Sequence, residues 1–345
     1  PLGYNGSKAA MELISKADVV LALGTRLNPF STLPGYGLDY WPKQAKIIQV
    51  DINPNRIGLT KKVTIGIIAD AKKVAESILA KLSPNAGNAG REERKNLIST
   101  TKSRWAQELS SMDHEDDDPG TTWNQRARAA KPDWMSPRMA WRAIQSALPK
   151  NAIISSDIGN NCAIGNAYPT FEEGRKYLAP GLFGPCGYGL PSIIGAKIAC
   201  RDVPVVGFAG DGAFGIAVTE LTAIGRKEWP PITMVVFRNY QWGAEKRNST
   251  LWYNDNFVGT ELDPQVSYAD LAKACGLQGV KARTQDELRD ALAKAVEDQM
   301  KHGKTTLIEA MINQELGEPF RRDAMKKPVE VAGISASDMR PQVLA

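Results

Sequence analysis

Short apolar runs that stop at polar turns recur along the first third of the chain. Val19-Val20-Leu21-Ala22-Leu23 stops at Gly24-Thr25-Arg26, and Lys46-Ile47-Ile48-Gln49-Val50 at Asp51-Ile52-Asn53-Pro54. A third run, Val63-Thr64-Ile65-Gly66-Ile67-Ile68, precedes Asp70. Continuous apolar runs of this length, bounded by turn residues, predict buried parallel strands. Helix-like segments over 7–16 and 71–82 flank them. A second series starts at Ser136-Pro137 with a helix to about Leu148. Strands are predicted over 152–156, 203–209, 232–237 and 305–311, and helices over 192–200, 217–226 and 288–301. Strands alternating with helices predict an α/β fold with parallel sheets and right-handed crossovers. The first series has few strands for a complete doubly wound sheet.

Residues 83–133 break the pattern. Ser83-Pro84-Asn85-Ala86-Gly87 is a loop by composition. The acidic run Asp113 to Asp118, closed by Pro119-Gly120, reads as a solvated linker rather than a metal site. The expected organisation is a first domain over 1–82, a linker over 83–133, a second domain over 134–320 and a tail over 321–345.

The chain's 345 residues suit two domains, and a net charge of +5 with scattered basic residues gives no reason to expect a nucleic-acid partner. No run approaches the roughly 18 apolar residues of a membrane span. Cys162, Cys186, Cys200 and Cys275 lie far apart without a C-x-x-C pair. A zinc site and a disulfide framework are therefore not expected, and a reducing cytoplasm fits. The start at Pro1 has neither Met nor a signal-peptide pattern and reads as a cut inside a longer protein. His114 and His302 read as solvated.

The chemistry concentrates at strand ends. Gly210-Asp211-Gly212 and Asn239 each follow an apolar strand, with room for one helix and one strand between them. Ligands bind at such ends in open α/β sheets. A carboxylate, an amide oxygen and main-chain carbonyls are hard donors suited to Mg2+. Glycines there let the backbone approach a phosphate. Gly-Asp-Gly alone would be an ordinary βα turn; the paired spacing is what points to a site.

The stretch GDGAFGIAVTELTAIGRKEWPPITMVVFRN, residues 210–239, resembles the signature of the thiamine-diphosphate (ThDP) enzymes, Gly-Asp-Gly followed at a distance by Asn-Asn. Arg238 replaces the first Asn of that pair. The resemblance implies Mg2+ held by Asp211, Asn239 and the main-chain carbonyl of Gln241. It implies ThDP contacts from Gly159, Asn160 and Asn161 on the first strand tip, and from Gly210 to Gly212, Ala213 and Phe214. The loop Gly181 to Pro191 resembles the one beneath the aminopyrimidine, giving Gly184 a contact and Cys186 the wedge position, with Leu182 or Phe183 as substitutes.

By the same resemblance, 1–82 is the later part of a Rossmann-like central domain and 134–320 the diphosphate-binding domain, both doubly wound parallel sheets. The glutamate that activates ThDP belongs to a pyrimidine-binding domain with no counterpart here. No catalytic residue is assigned, and the chain alone is expected to be inactive. The family places ThDP between subunits, so a homodimer or homotetramer is expected of the full-length protein.

Residues 238–260 and 317–328 resemble the branch of the family that converts sulfoacetaldehyde and phosphate to acetyl phosphate and sulfite in taurine and sulfonate breakdown. Arg238, Lys246, Arg247, Arg321 and Arg322 are the candidate cations for those anions, Arg238 foremost. Two rivals are a pyruvate carboligase of the acetolactate-synthase kind and a non-catalytic nucleotide-binding protein. A dinucleotide dehydrogenase is the weakest rival.

Overall fold

A computed structural model describes residues 2–316, apart from residues 4–5, 33–37, 112–125, 128, 170, 172–173, 175, 182, 227 and 254. The chain divides into two units, one on residues 1–112 and one on 113–320.

The first unit carries β1 (Val19–Leu23), β2 (Lys46–Asp51) and β3 (Ile65–Ile68), paired in parallel in the order β1-β2-β3. β2 is the buried strand, and a small core of Ala22, Leu27 and Ile47 forms beside it. The flanking strands keep apolar side chains in the open, with Leu21 43% and Ile68 64% exposed. Asp70 caps the helix Ala71–Lys81 by accepting from the Lys73 N–H at 3.0 Å. Helix Arg91–Ser111 fills the middle of the stretch expected as linker, which corrects that expectation. It buries only Thr101, Trp105 and Leu109, a single stripe at four-residue spacing. A helix polar on nearly every face gives little periodic signal. Lys8 anchors it through Glu108 at 2.8 Å.

The second unit is built on six parallel strands in the order β5-β4-β6-β7-β9-β8. These are β4 (Ile153–Ser156), β5 (Tyr177–Leu178), β6 (Val205–Gly210), β7 (Thr233–Arg238), β8 (Gln278–Ala282) and β9 (Thr306–Met311). Every residue of β4, β7 and β9 is buried, as expected of strands covered on both faces. Trp141 packs on Phe208 and Phe237, with ring centroids 4.8 and 5.2 Å away. Gly165 makes room for that indole, since a Cβ there would come within 2.2 Å of it.

The boundaries differ where glycines hide a helix start. Helix Gly189–Ala199 begins inside the expected Gly-rich loop. The helix expected over 217–226 instead starts at Asp211, runs to Ala217, tightens through a 3-10 turn and resumes at Leu221–Ile224. Among the described residues no helix is long and apolar enough to cross a membrane.

Candidate functional site

From β4 the chain turns to β5 on one side, and from β6 to β7 on the other. Such a change of direction opens a crevice at the strand ends. A cleft lies there. Of the residues expected to bind a cofactor, Gly159, Asn160, Asn161, Cys186, Gly210, Asp211, Gly212, Ala213 and Gln241 line it. Its wall also includes Ile158 and the stretch from Trp242 to Glu245.

Asp211 is the centre of the arrangement. Its Oδ2 accepts from the N–H groups of Asn239 at 3.1 Å and Tyr240 at 2.6 Å, and from Arg238 Nη1 at 3.1 Å. Its Oδ1 accepts from the Gly212 N–H at 3.0 Å. Burial pushes the carboxyl up to about 6, against the opposing pull of the Arg238 charge and the backbone N–H groups. The tips of β6 and β7 are thus joined through one carboxylate. Asn160 joins the β4 tip by donating from Nδ2 to the Gly243 carbonyl at 2.8 Å.

Among the described residues, three buried amide oxygens, Oδ1 of Asn160, Asn161 and Asn239, have no hydrogen-bond partner. An unsatisfied buried oxygen costs about 1–3 kcal/mol and calls for an ion, ligand or water. Asn239 sits beside Asp211 rather than in the cleft wall. Tyr240, between Asn239 and Gln241, has φ +62°, a left-handed turn that is rare for a bulky residue. The Gln241 side chain is already engaged, donating to the Gln314 carbonyl and accepting from Lys246, both at 3.0 Å. Among the described residues, a Cβ on Gly159 or Gly210 would meet no atom within 4 Å, so a ligand can approach the main chain there. One carboxylate, one orphaned amide oxygen and a neighbouring carbonyl fit the hard, oxygen-only preference of Mg2+. Among the described residues no three His, Cys, Asp or Glu cluster as metal ligands, so a metal here would need these amide donors.

Asp157 has a role that sequence reading did not separate from its neighbours. Its carboxylate is buried beneath the Gly-rich loop and accepts from Gly187 and Gly189 at 3.1 and 2.7 Å, and from Ile158 at 2.8 Å. Burial raises its pKa and those N–H groups pull it back. It holds the loop that presents Cys186. Burial raises the Cys186 thiol as well, helped by the charges of Asp157 and Glu245, so the thiol is a neutral wall of the cleft.

Several expectations are corrected. Arg238, Lys246 and Arg247 are all buried and none lines the cleft, whose described lining contains no Lys or Arg. Arg238 lies between Asp211 and Glu309, and Lys246 pairs with Glu261. Desolvated cations need such partners, which takes them out of contact with a substrate. Phe214 is a core residue, edge-to-face with Tyr268 at 4.9 Å. Gly184 also stands off the cleft. Phe183 is 92% exposed, so it is no substitute for Cys186. Leu182, Arg321 and Arg322 fall outside the described residues. Sequence reading missed Glu309, the buried second partner of Arg238, and Trp242, whose ring lies where a Gly212 Cβ would be. An acid inside an apolar strand such as β9 is the signal that could have found Glu309.

Comparisons with known proteins match both units. The family model for the thiamine pyrophosphate enzyme C-terminal TPP-binding domain matches residues 157–310, and that for the central domain matches residues 1–78. Sulfoacetaldehyde acetyltransferase of Roseovarius nubinhibens is 82% identical over 342 residues, covering 99% of this chain and 57% of that protein. The protein of the same name from Rhodobacter capsulatus is 79% identical, covering 99% of this chain and 58% of that protein. A probable acetolactate synthase large subunit from Methanocaldococcus jannaschii is 28% identical, covering 86% and 47%. The chain spans about half the length of the curated relatives it matches. Two parallel-sheet units matched by the central and TPP-binding models, with orphaned oxygens gathered at the switch point of the second, lead to one conclusion: the chain belongs to the thiamine pyrophosphate enzymes.

Proposed function

We propose that this chain is the cofactor-holding part of a ThDP- and Mg2+-dependent acetyltransferase that converts sulfoacetaldehyde and phosphate to acetyl phosphate and sulfite. The observation that carries the reading is 75–82% identity, over nearly the whole chain, to three relatives named sulfoacetaldehyde acetyltransferase or probably so. Residues 134–320 serve as the diphosphate-binding domain and 1–82 as part of the central domain. The full-length protein is a homodimer or homotetramer acting in cytoplasmic sulfonate breakdown.

Asp211, Asn239 and the Gln241 carbonyl hold Mg2+, and the tips at Gly159 to Asn161 and Gly210 to Ala213 receive the diphosphate. When bound, ThDP supplies the nucleophilic carbon and the electron sink. The residues of this chain bind and orient. Asp157 fixes the Gly-rich loop, Cys186 offers the cleft an uncharged surface, and the buried strand tips exclude water. With Arg238, Lys246 and Arg247 engaged elsewhere, Arg321 and Arg322 are the remaining cations for sulfonate and phosphate.

The test is an assay of the full-length protein with sulfoacetaldehyde, phosphate, ThDP and Mg2+. Equimolar sulfite and acetyl phosphate, dependent on ThDP, are expected. The 25–28% identity to acetolactate synthase large subunits and probable ones keeps one rival. Carbon–carbon bond formation from pyruvate, without sulfite release from sulfoacetaldehyde, would establish that rival.

A further inference from the structure

Arg238 occupies a position where the family signature has an asparagine, and it is 1% exposed. Its guanidinium is held from several sides. Nη1 donates to Asp211 Oδ2 at 3.1 Å, and Nε faces Glu309 Oε1 at 3.4 Å, an ion pair without the alignment of a hydrogen bond. Nη2 donates to the carbonyls of Asp263 and Val266, both at 2.8 Å. The plane lies over the Tyr240 ring at 4.1 Å and the Tyr268 ring at 5.1 Å. Tyr268 in turn donates from its hydroxyl to the Asp211 carbonyl at 3.0 Å.

We propose that Arg238 is the positioning residue of the metal-binding turn. It acts through two neighbours. On Asp211 it occupies Oδ2, together with two backbone N–H groups, and leaves Oδ1 with the Gly212 N–H alone. That makes Oδ1 the oxygen available to a cation. On Tyr240 it stacks over the ring and holds the left-handed turn at φ +62°, which sets the relative placement of Asn239 and Gln241. A residue in that conformation persists only where its surroundings over-determine it. The stack and the short Tyr240 N–H bond to Asp211 do so here. A lysine could neutralise the carboxylates but has no plane to stack and no fork to reach four oxygens. Groups behind metal ligands typically tune affinity by roughly 10–100-fold. The inference rests on reading Asp211 and Asn239 as Mg2+ ligands.

The experiment uses the full-length protein. ThDP binding is followed by quenching of tryptophan fluorescence, since Trp242 lines the cleft, while Mg2+ is titrated. Thermal unfolding is measured in parallel without ligands. Two variants are compared with the wild type: Arg238→Lys, and Arg238→Met combined with Glu309→Gln. The double variant removes one cation and one carboxylate together, so the net charge buried around Asp211 is unchanged. It is expected to unfold close to the wild-type temperature yet to need at least roughly tenfold more Mg2+ for half-maximal ThDP binding. Arg238→Lys is expected to fall between the two. A folded double variant with wild-type Mg2+ dependence overturns the proposal, as does a lowered unfolding temperature with unchanged Mg2+ dependence. If the double variant does not fold, Arg238→Lys decides alone, and an unchanged Mg2+ requirement there again overturns it. Wild-type protein that binds no ThDP with Mg2+ instead defeats the underlying site reading.

Discussion

Asp51 and Asp211 hold the same place in the two sheets: each is a buried aspartate at the carboxyl end of a parallel strand. Their partners differ. Asp51 Oδ1 accepts from the Asn53 N–H at 2.9 Å and closes its own turn. Asp211 gathers Arg238, Asn239 and Tyr240 from the neighbouring strand tip. The sheets differ in the same sense. β1 and β3 expose apolar side chains, whereas β4, β7 and β9 are buried throughout. An aspartate after a strand is therefore not a site in itself. It becomes one when the adjacent strand delivers a second set of donors and leaves oxygens over.

The sharpest test of the contrast between sheets is truncation. Phe208→Ala, at a side chain with no exposure, is expected to cost about 3–5 kcal/mol, and Leu21→Ala, 43% exposed, under about 1 kcal/mol. Denaturant unfolding of both variants measures this, and equal losses would break the comparison. Next comes the aspartate pair. Asp211→Ala is expected to weaken Mg2+-dependent ThDP binding by at least about a hundredfold, or roughly 2.7 kcal/mol, whereas Asp51→Ala leaves it unchanged. Calorimetric titration separates them.

Gly210→Ala is subtler. The new methyl meets no protein atom within 4 Å but projects at a residue of the cleft wall. Unfolding temperature should hold while ThDP affinity falls by roughly tenfold, or about 1.4 kcal/mol. The smallest effect is a slope. Burial raises the Asp157 pKa above its unfolded value, so its ionised form is disfavoured in the folded state. Wild-type stability should then rise relative to Asp157→Asn as pH falls through the raised pKa toward the unfolded value near 3.8. Unfolding temperatures of both proteins at about pH 7 and about pH 4 give the sign.

The strand tips were legible because apolar runs and polar turns alternate sharply, and β1 was predicted to the residue. Asp211 and Asn239 were legible as a pair through their spacing. Arg238 was misread because sequence shows a cation beside Asn239 but not the second carboxylate, on β9, that claims it. Helix Arg91–Ser111 escaped because its apolar stripe is three residues wide in all. β5 and β8 escaped as a two-residue strand and a largely polar edge strand, the kind of segment with no buried face to imprint a period. The start of helix Asp211–Ala217 was hidden because its glycines weaken helix propensity.

The link from Asp211 to Asn239 spans 28 residues, and that from Asn160 to Gly243 spans 83. The Asp51 turn closes over two. Closing longer loops costs more entropy, about 0.6 kcal/mol per doubling, and must await strand pairing. In the order of folding, then, the Asp51 turn can form while its own strand is still alone. The cleft cannot exist until β4, β6 and β7 lie in register and the chain beyond β7 has returned to the β4 tip. Capacity for a ligand is thus acquired late, and binding there reports that β4, β6 and β7 have come together.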